Sequence, residues 1–143
     1  MKIKLVSKPG GLTENNRRIL DYLDASIFYD CDPYPKNWCY WWLAYDDDQI
    51  VGFAGLDIIA KQQGFLCRCG VIEEYRGFGI HHKLIKAREK YAKYIGLNEL
   101  VTYVHDENLT SANNLITHKY KLCKPWYNYG DDMLYFDKLI SSL

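Results

Sequence analysis

The stretch Val71-Ile72-Glu73-Glu74-Tyr75-Arg76-Gly77-Phe78-Gly79-Ile80-His81 decides how this chain is read. The residues before it have strand character. After it, Ile80, Leu84, Ala87, Tyr91 and Tyr94 recur at spacings of four, three, four and three. Those spacings describe one apolar stripe on a helix, which Gly96 ends. The quoted segment is therefore a strand-to-helix junction with two glycines in its loop. Such a junction binds anions, because successive backbone N–H groups point into the turn and the helix N-terminus adds a positive dipole end. Gly77 and Gly79 permit positive φ and close approach of a phosphate, and Arg76 supplies a charge-assisted contact. The ligand implied is a pyrophosphate.

Two common pyrophosphate loops do not fit. A Walker A pattern, G-x-x-x-x-G-K-[ST], is absent. The dinucleotide pattern G-x-G-x-x-G meets His82 at its third glycine, although Glu99 lies about 20 residues on. The loop also follows a run of strands and does not open a βαβ unit.

Working outward, the upstream half reads as a strand around Ile3 and Leu5, ended by Pro9-Gly10-Gly11. A helix comes next, with Thr13 as N-cap and Ile19, Leu20, Leu23 and Ile27 at helical spacing. Beyond the loop Asp32-Pro33-Tyr34-Pro35-Lys36-Asn37, strands are predicted over 38–45, 49–59 and 65–72, joined by short turns. Downstream, 100–104 reads as a strand, 111–118 as a short helix and 132–137 as a strand. The expected order is β-α-βββ-α-β-α-β, a mixed α/β fold.

These residues carry a resemblance. V-x-x-E-Y-R-G-x-G-I resembles motif A of the GNAT N-acetyltransferase superfamily, whose Q/R-x-x-G-x-G/A loop holds the pyrophosphate of coenzyme A. Arg76 and Gly79 match that loop, and His81 replaces its last small residue. Downstream, Asn108-x-x-Ser111-x-x-Asn114-Leu115 followed by Lys119-Tyr120 is similar to the family's N-x-x-S-x-x-L-Y…G-F helix. Specific motifs cover residues 71–120, and the order of elements extends the likeness to nearly the whole chain. There are departures: Leu115 stands where many members have a tyrosine that protonates the departing thiolate, and Lys119-Tyr120 stands for G-F.

The resemblance implies one domain over residues 1–143, with a mostly antiparallel sheet of about six or seven strands, splayed in the middle and flanked by helices. It implies acetyl-CoA as co-substrate, held by Cys69, Val71, Arg76, Gly77, Phe78, Gly79, Ile80, His81, Asn108 and Ser111, with no metal. Backbone N–H groups near Cys69–Val71 would hold the thioester carbonyl. The implied reaction is direct attack by a primary amine, from a small molecule or a protein, in a ternary complex. An alkylammonium loses its proton with a pKa near 10, so a base is expected; Tyr103 and His105 are the candidates. Tyr34 and Trp38 are candidates for lining the acceptor cleft.

Composition sets further bounds. The 143 residues carry 18 basic and 18 acidic side chains, which gives no bulk signal for nucleic acid. Lys83, Lys86, Arg88, Lys90 and Lys93 are expected on the solvated face of the second helix. Cys31, Cys39, Cys67, Cys69 and Cys123 contain no C-x-x-C and form no disulfide framework or zinc knuckle, so a reducing, cytoplasmic setting is expected. No run reaches the roughly 18 apolar residues of a membrane span. A homodimer is compatible with the family. Two rival readings remain: a binding module with the coenzyme pocket but no turnover, and a related enzyme acting on a nucleobase or a partner protein.

Overall fold

The computed structural model describes residues 1–141. It is a mixed α/β fold with strands β1 (Lys2–Ser7), β2 (Tyr40–Asp46), β3 (Gln49–Ala60), β4 (Gln63–Val71), β5 (Glu99–His105), β6 (Lys121–Leu122) and β7 (Met133–Leu139). The helices are α1 (Glu14–Ile27), α2 (Ile80–Tyr94) and α3 (Leu109–Thr117). The sheet has seven strands in the order β1-β2-β3-β4-β5-β7-β6. The expected order of elements is present, with one addition: β6 is too short to carry a periodicity. Trp38 is not in a strand, since β2 begins at Tyr40. No helix among the described residues is long and apolar enough to cross a membrane.

The chain divides into two compact units. The first comprises Met1–Asp57 and Leu66–Arg88, the second Ile58–Phe65 and Glu89–Leu143.

In the first unit, α1 starts where Thr13 accepts the Asn16 N–H at 3.2 Å, and it buries Leu20 and Leu23. Each such side chain contributes about 1.5–3 kcal/mol. The β1–β2 and β2–β3 pairs are antiparallel, and the β2–β3 hairpin turns through Asp47, whose φ is 51°. Trp41, Leu43, Phe53 and Leu56 are fully buried. Trp41 donates its indole N–H to Lys36 O at 2.8 Å, so its polar atom is satisfied in the core.

Arg88 corrects the sequence reading. It is 2 % exposed and donates to Leu84 O, Gly55 O and Cys67 O at 3.2, 3.1 and 3.3 Å. It lies four residues after Leu84 and so on the apolar stripe, while Lys83, Lys86 and Lys90 are exposed. A second buried charge in this unit, Asp24, accepts from Lys36 Nζ at 2.7 Å and from the Tyr34 N–H at 3.0 Å.

In the second unit, β5 pairs with β4 in parallel from Gln63↔Glu99 to Phe65↔Val101 and with β7 antiparallel along its whole length. Leu100, Val101, Leu115, Tyr120 and Phe136 form the core. Glu89 is buried and satisfied twice, by the Tyr120 hydroxyl at 2.8 Å and by Lys138 Nζ at 2.9 Å. On another part of this unit, Phe65, Tyr103 and Tyr129 stack in series with centroids 5.6 and 4.3 Å apart.

Candidate active site

The loop of the first unit is built in three steps. Ile72 N–H donates to Val51 O at 2.9 Å, which holds the chain against β3 one residue beyond β4. A single 3-10 turn, Glu73–Tyr75, is closed by Tyr75 N–H to Ile72 O and Arg76 N–H to Glu73 O at 3.0 and 3.2 Å. The Tyr75 hydroxyl then fixes the turn to the β2–β3 hairpin, donating to Asp46 Oδ2 at 2.7 Å and lying 3.2 Å from Gln49 Oε1. The hydrogen bond to the Asp46 carboxylate pushes that phenol above its ordinary value.

Between this turn and α2, Gly77 and Gly79 adopt φ of 86° and 80°. L-residues with side chains rarely adopt this conformation, and a Cβ on either glycine would meet nothing within 4 Å. The space over both glycines is therefore open. Lys83 N–H reaches Gly79 O at 3.2 Å, so Gly79 begins the helix and the N–H groups just after it have no partner within the helix. Arg76 is exposed and donates Nε to Val71 O at 3.0 Å; its terminal nitrogens have no partner among the described residues. Phe78 is exposed and Ile80 is buried. Glycine backbone, helix start and the Arg76 guanidinium thus lie together at an open surface, an arrangement chemically suited to an anion.

His81, at the position where the sequence pattern has a small residue, points back to the strand. Its Nδ1 is 3.3 Å from Cys69 Sγ. Burial alone would push the Cys69 thiol up, but the neighbouring His81 and Arg88 together hold it below the ordinary thiol value. Cys69 in turn raises His81, against the opposing effects of burial, Arg88 and Arg76. Sequence reasoning names both residues as cofactor contacts and misses that they pair. No local signal connects a strand residue to one twelve positions later.

The second unit holds the remaining candidates. His105 Nε2 is 2.8 Å from Asp132 Oδ2, and its Nδ1 accepts the Glu107 N–H at 3.2 Å. These partners assign the proton to Nε2. Asp106 Oδ1 lies 3.4 Å from the same Nδ1. Tyr103 is half-buried in the aromatic stack. Asn108 is the N-cap of α3, its Oδ1 accepting the Ser111 N–H at 3.2 Å. Leu115 is buried, and Lys119 has φ of 72°. A lysine thus holds the left-handed position where the similar motif has glycine.

The profile of the Acetyltransferase (GNAT) family matches residues 13–116. The chain belongs to this family. Transfer of an acetyl group from acetyl-CoA is general to GNAT proteins. No curated protein sequence matches the chain. Solved structures with the same fold include the ribosomal-protein-S18-alanine N-acetyltransferase from Escherichia coli, with a TM-score of 0.77 at 12 % identity over 99 % of this chain and 95 % of that one. Arabidopsis thaliana NAA60 in complex with a bisubstrate analogue has a TM-score of 0.76 at 16 % identity, covering 99 % and 100 %. PaiA N-acetyltransferase from Thermoplasma acidophilum, solved with coenzyme A, has a TM-score of 0.64 at 21 % identity over 88 % and 71 %.

The two cleft candidates differ from each other in this GNAT chain. Trp38 is 70 % exposed in the loop before β2. Tyr34 packs edge-on against Trp41 with centroids 6.2 Å apart and sits beneath the Arg68 guanidinium. Burial, and then the neighbouring Cys67, Cys39 and Asp57, push its phenol far up. Its ring belongs to the packing around Trp41.

Proposed function

We propose that the chain is an acetyl-CoA-dependent N-acetyltransferase that acetylates a primary amine by direct attack in a ternary complex. The observation that carries this reading is the open pair of left-handed glycines at the start of α2, with Arg76 beside them. The coenzyme would supply an acetyl group activated as a thioester. Gly77, Gly79 and the first N–H groups of α2 would hold its pyrophosphate, with Arg76 neutralising charge and Phe78 and Ile80 shaping the loop. Cys69 and Val71 would contribute strand backbone. Asn108, by capping α3, fixes Ser111 at the start of that helix. His105, oriented by Asp132, is the group suited to accept the ammonium proton, as an imidazole held in one tautomer by a carboxylate.

Family membership and neighbours solved with coenzyme A support the donor. The neighbours' names include a ribosomal-protein alanine acetyltransferase, which supports an amine acceptor from a protein as well as from a small molecule. Calorimetric titration with acetyl-CoA tests the reading. Micromolar binding that is weakened about tenfold in Arg76→Ala and about a hundredfold in Gly79→Val is expected, and no binding at millimolar coenzyme would reject the reading.

A second reading is favoured by Leu115. This buried leucine supplies no proton where many GNAT enzymes carry a tyrosine. A coenzyme-binding module would bind acetyl-CoA with the same loop dependence yet acetylate none of a panel of amines.

A further inference from the structure

The first unit contains a nucleophile that the acetyl-transfer reading does not use. We infer that Cys69 is a modification site: with His81 it forms a thiolate–imidazolium pair that reacts with hydrogen peroxide and with soft carbon electrophiles. The geometry supplies three elements. Cys69 Sγ lies 3.3 Å from His81 Nδ1, within hydrogen-bond distance for sulfur. Cys69 is only partly exposed, neither sealed in the core nor freely solvated. Arg88, a buried guanidinium bonded to Gly55 O and Cys67 O, adds a second fixed positive charge. Reactive cysteines occur in such electropositive, partly accessible surroundings.

The other four thiols provide an internal comparison. Cys39 and Cys67 are buried with sulfurs 3.9 Å apart, and hydrogen bonding to Cys67 and burial hold the Cys39 thiol far up. Burial, with Asp137 and Glu99 nearby, raises Cys123. Cys31 is exposed in a loop beside Asp30, with no cation bonded to it. Cys69 alone combines a hydrogen-bonded imidazole with access.

With peroxide, the Cys69 thiolate attacks one oxygen. An S–O bond forms, the O–O bond breaks, and hydroxide leaves, taking the His81 proton to become water. The sulfur is oxidised to sulfenic acid and the peroxide is reduced. The product retains a neutral imidazole, so the ion pair between β4 and the first turn of α2 is lost.

The test is site-resolved labelling of the native chain with iodoacetamide at neutral pH, read by mass spectrometry, with Cys31 as the reference thiol. Cys69 is expected to label about tenfold faster than Cys31, and His81→Gln to remove that advantage without changing the Cys31 rate. The same chain treated with peroxide and then dimedone should carry its adduct at Cys69 and lose it in Cys69→Ser. A melting curve for each variant separates altered reactivity from unfolding. If His81→Gln does not fold, lowering the pH from 9 to 7 on the unmodified chain still decides. His81 and Arg88 act on the sulfur, with Arg76 acting on His81, and they hold the Cys69 thiol below its ordinary value. The Cys69 rate should therefore fall less than that of Cys31. Equal labelling of both thiols and a parallel fall with pH would mean a neutral thiol hydrogen-bonded to a neutral imidazole, and would overturn the inference.

Discussion

The loop before α2 and the end of α3 both contain a residue in the left-handed conformation, but they reach it by different means. At Gly77 and Gly79 the conformation is met by glycine, and the space a side chain would fill stays open. At Lys119, φ of 72° is imposed on a residue with a side chain. The next residue supplies the reason. Tyr120 is 2 % exposed and its hydroxyl is tied to Glu89. A buried, hydrogen-bonded anchor fixes the chain direction there, and the cost of a Cβ at positive φ, about 1–2 kcal/mol, is tolerated. Where packing sets the backbone, residue identity is free to change. Where the space over the backbone stays open, only glycine meets the conformation without strain.

The strongest way to break this comparison is Gly79→Val. A β-branched residue at φ of 80° is strained and places two methyl groups in that open space. Acetyl-CoA affinity should fall about a hundredfold, near 3 kcal/mol, by calorimetry. If affinity survives, the open glycines do not hold the coenzyme.

Tyr120→Phe tests the other region. It removes one of two hydrogen bonds to a buried carboxylate, which should lower unfolding free energy by about 2 kcal/mol in urea titration. Coenzyme affinity should stay unchanged if the two regions are independent. Arg76→Ala should weaken acetyl-CoA binding by about tenfold, near 1.4 kcal/mol, and lower stability by no more than about 1 kcal/mol, the worth of its single bond from Nε to Val71 O. The smallest effect belongs to Lys119→Gly, which relieves the left-handed strain and should raise stability by up to about 1 kcal/mol in the same urea titration. A decrease would mean that the lysine side chain itself holds the helix end.

The same contrast explains how much of the molecule is legible in its sequence. The glycine loop before α2 is legible because its features are local: glycines, arginine and helix start lie within a few residues. Helix α2 is legible to its ends, Ile80 and Tyr94, because its stripe is regular. Arg88 is misread as solvated when charge is weighted above position, although its spacing from Leu84 puts it on the buried face. Strand β6 has two residues and no pattern. The aromatic character of Trp38 suggests a strand, yet the chain becomes extended only after Cys39. The pairs Cys69–His81, His105–Asp132 and Tyr120–Glu89 join residues far apart in the chain, and no spacing rule predicts them. His105 stands out in the sequence as a titratable group, but the partners that fix its tautomer come from the approach to β7 and the turn after β5.

The hydroxyl of Tyr75 matters to anyone who would engineer this chain. A hairpin tip such as Asp47-Asp48, polar and exposed, is where a peptide tag or a fused domain is ordinarily inserted with little effect. Here Asp46 and Gln49 on either side of that tip hold the Tyr75 hydroxyl, and with it the turn that leads into the glycine loop. An insertion that pulled those two residues apart would be felt at Arg76 and Gly77 before it was felt in the core.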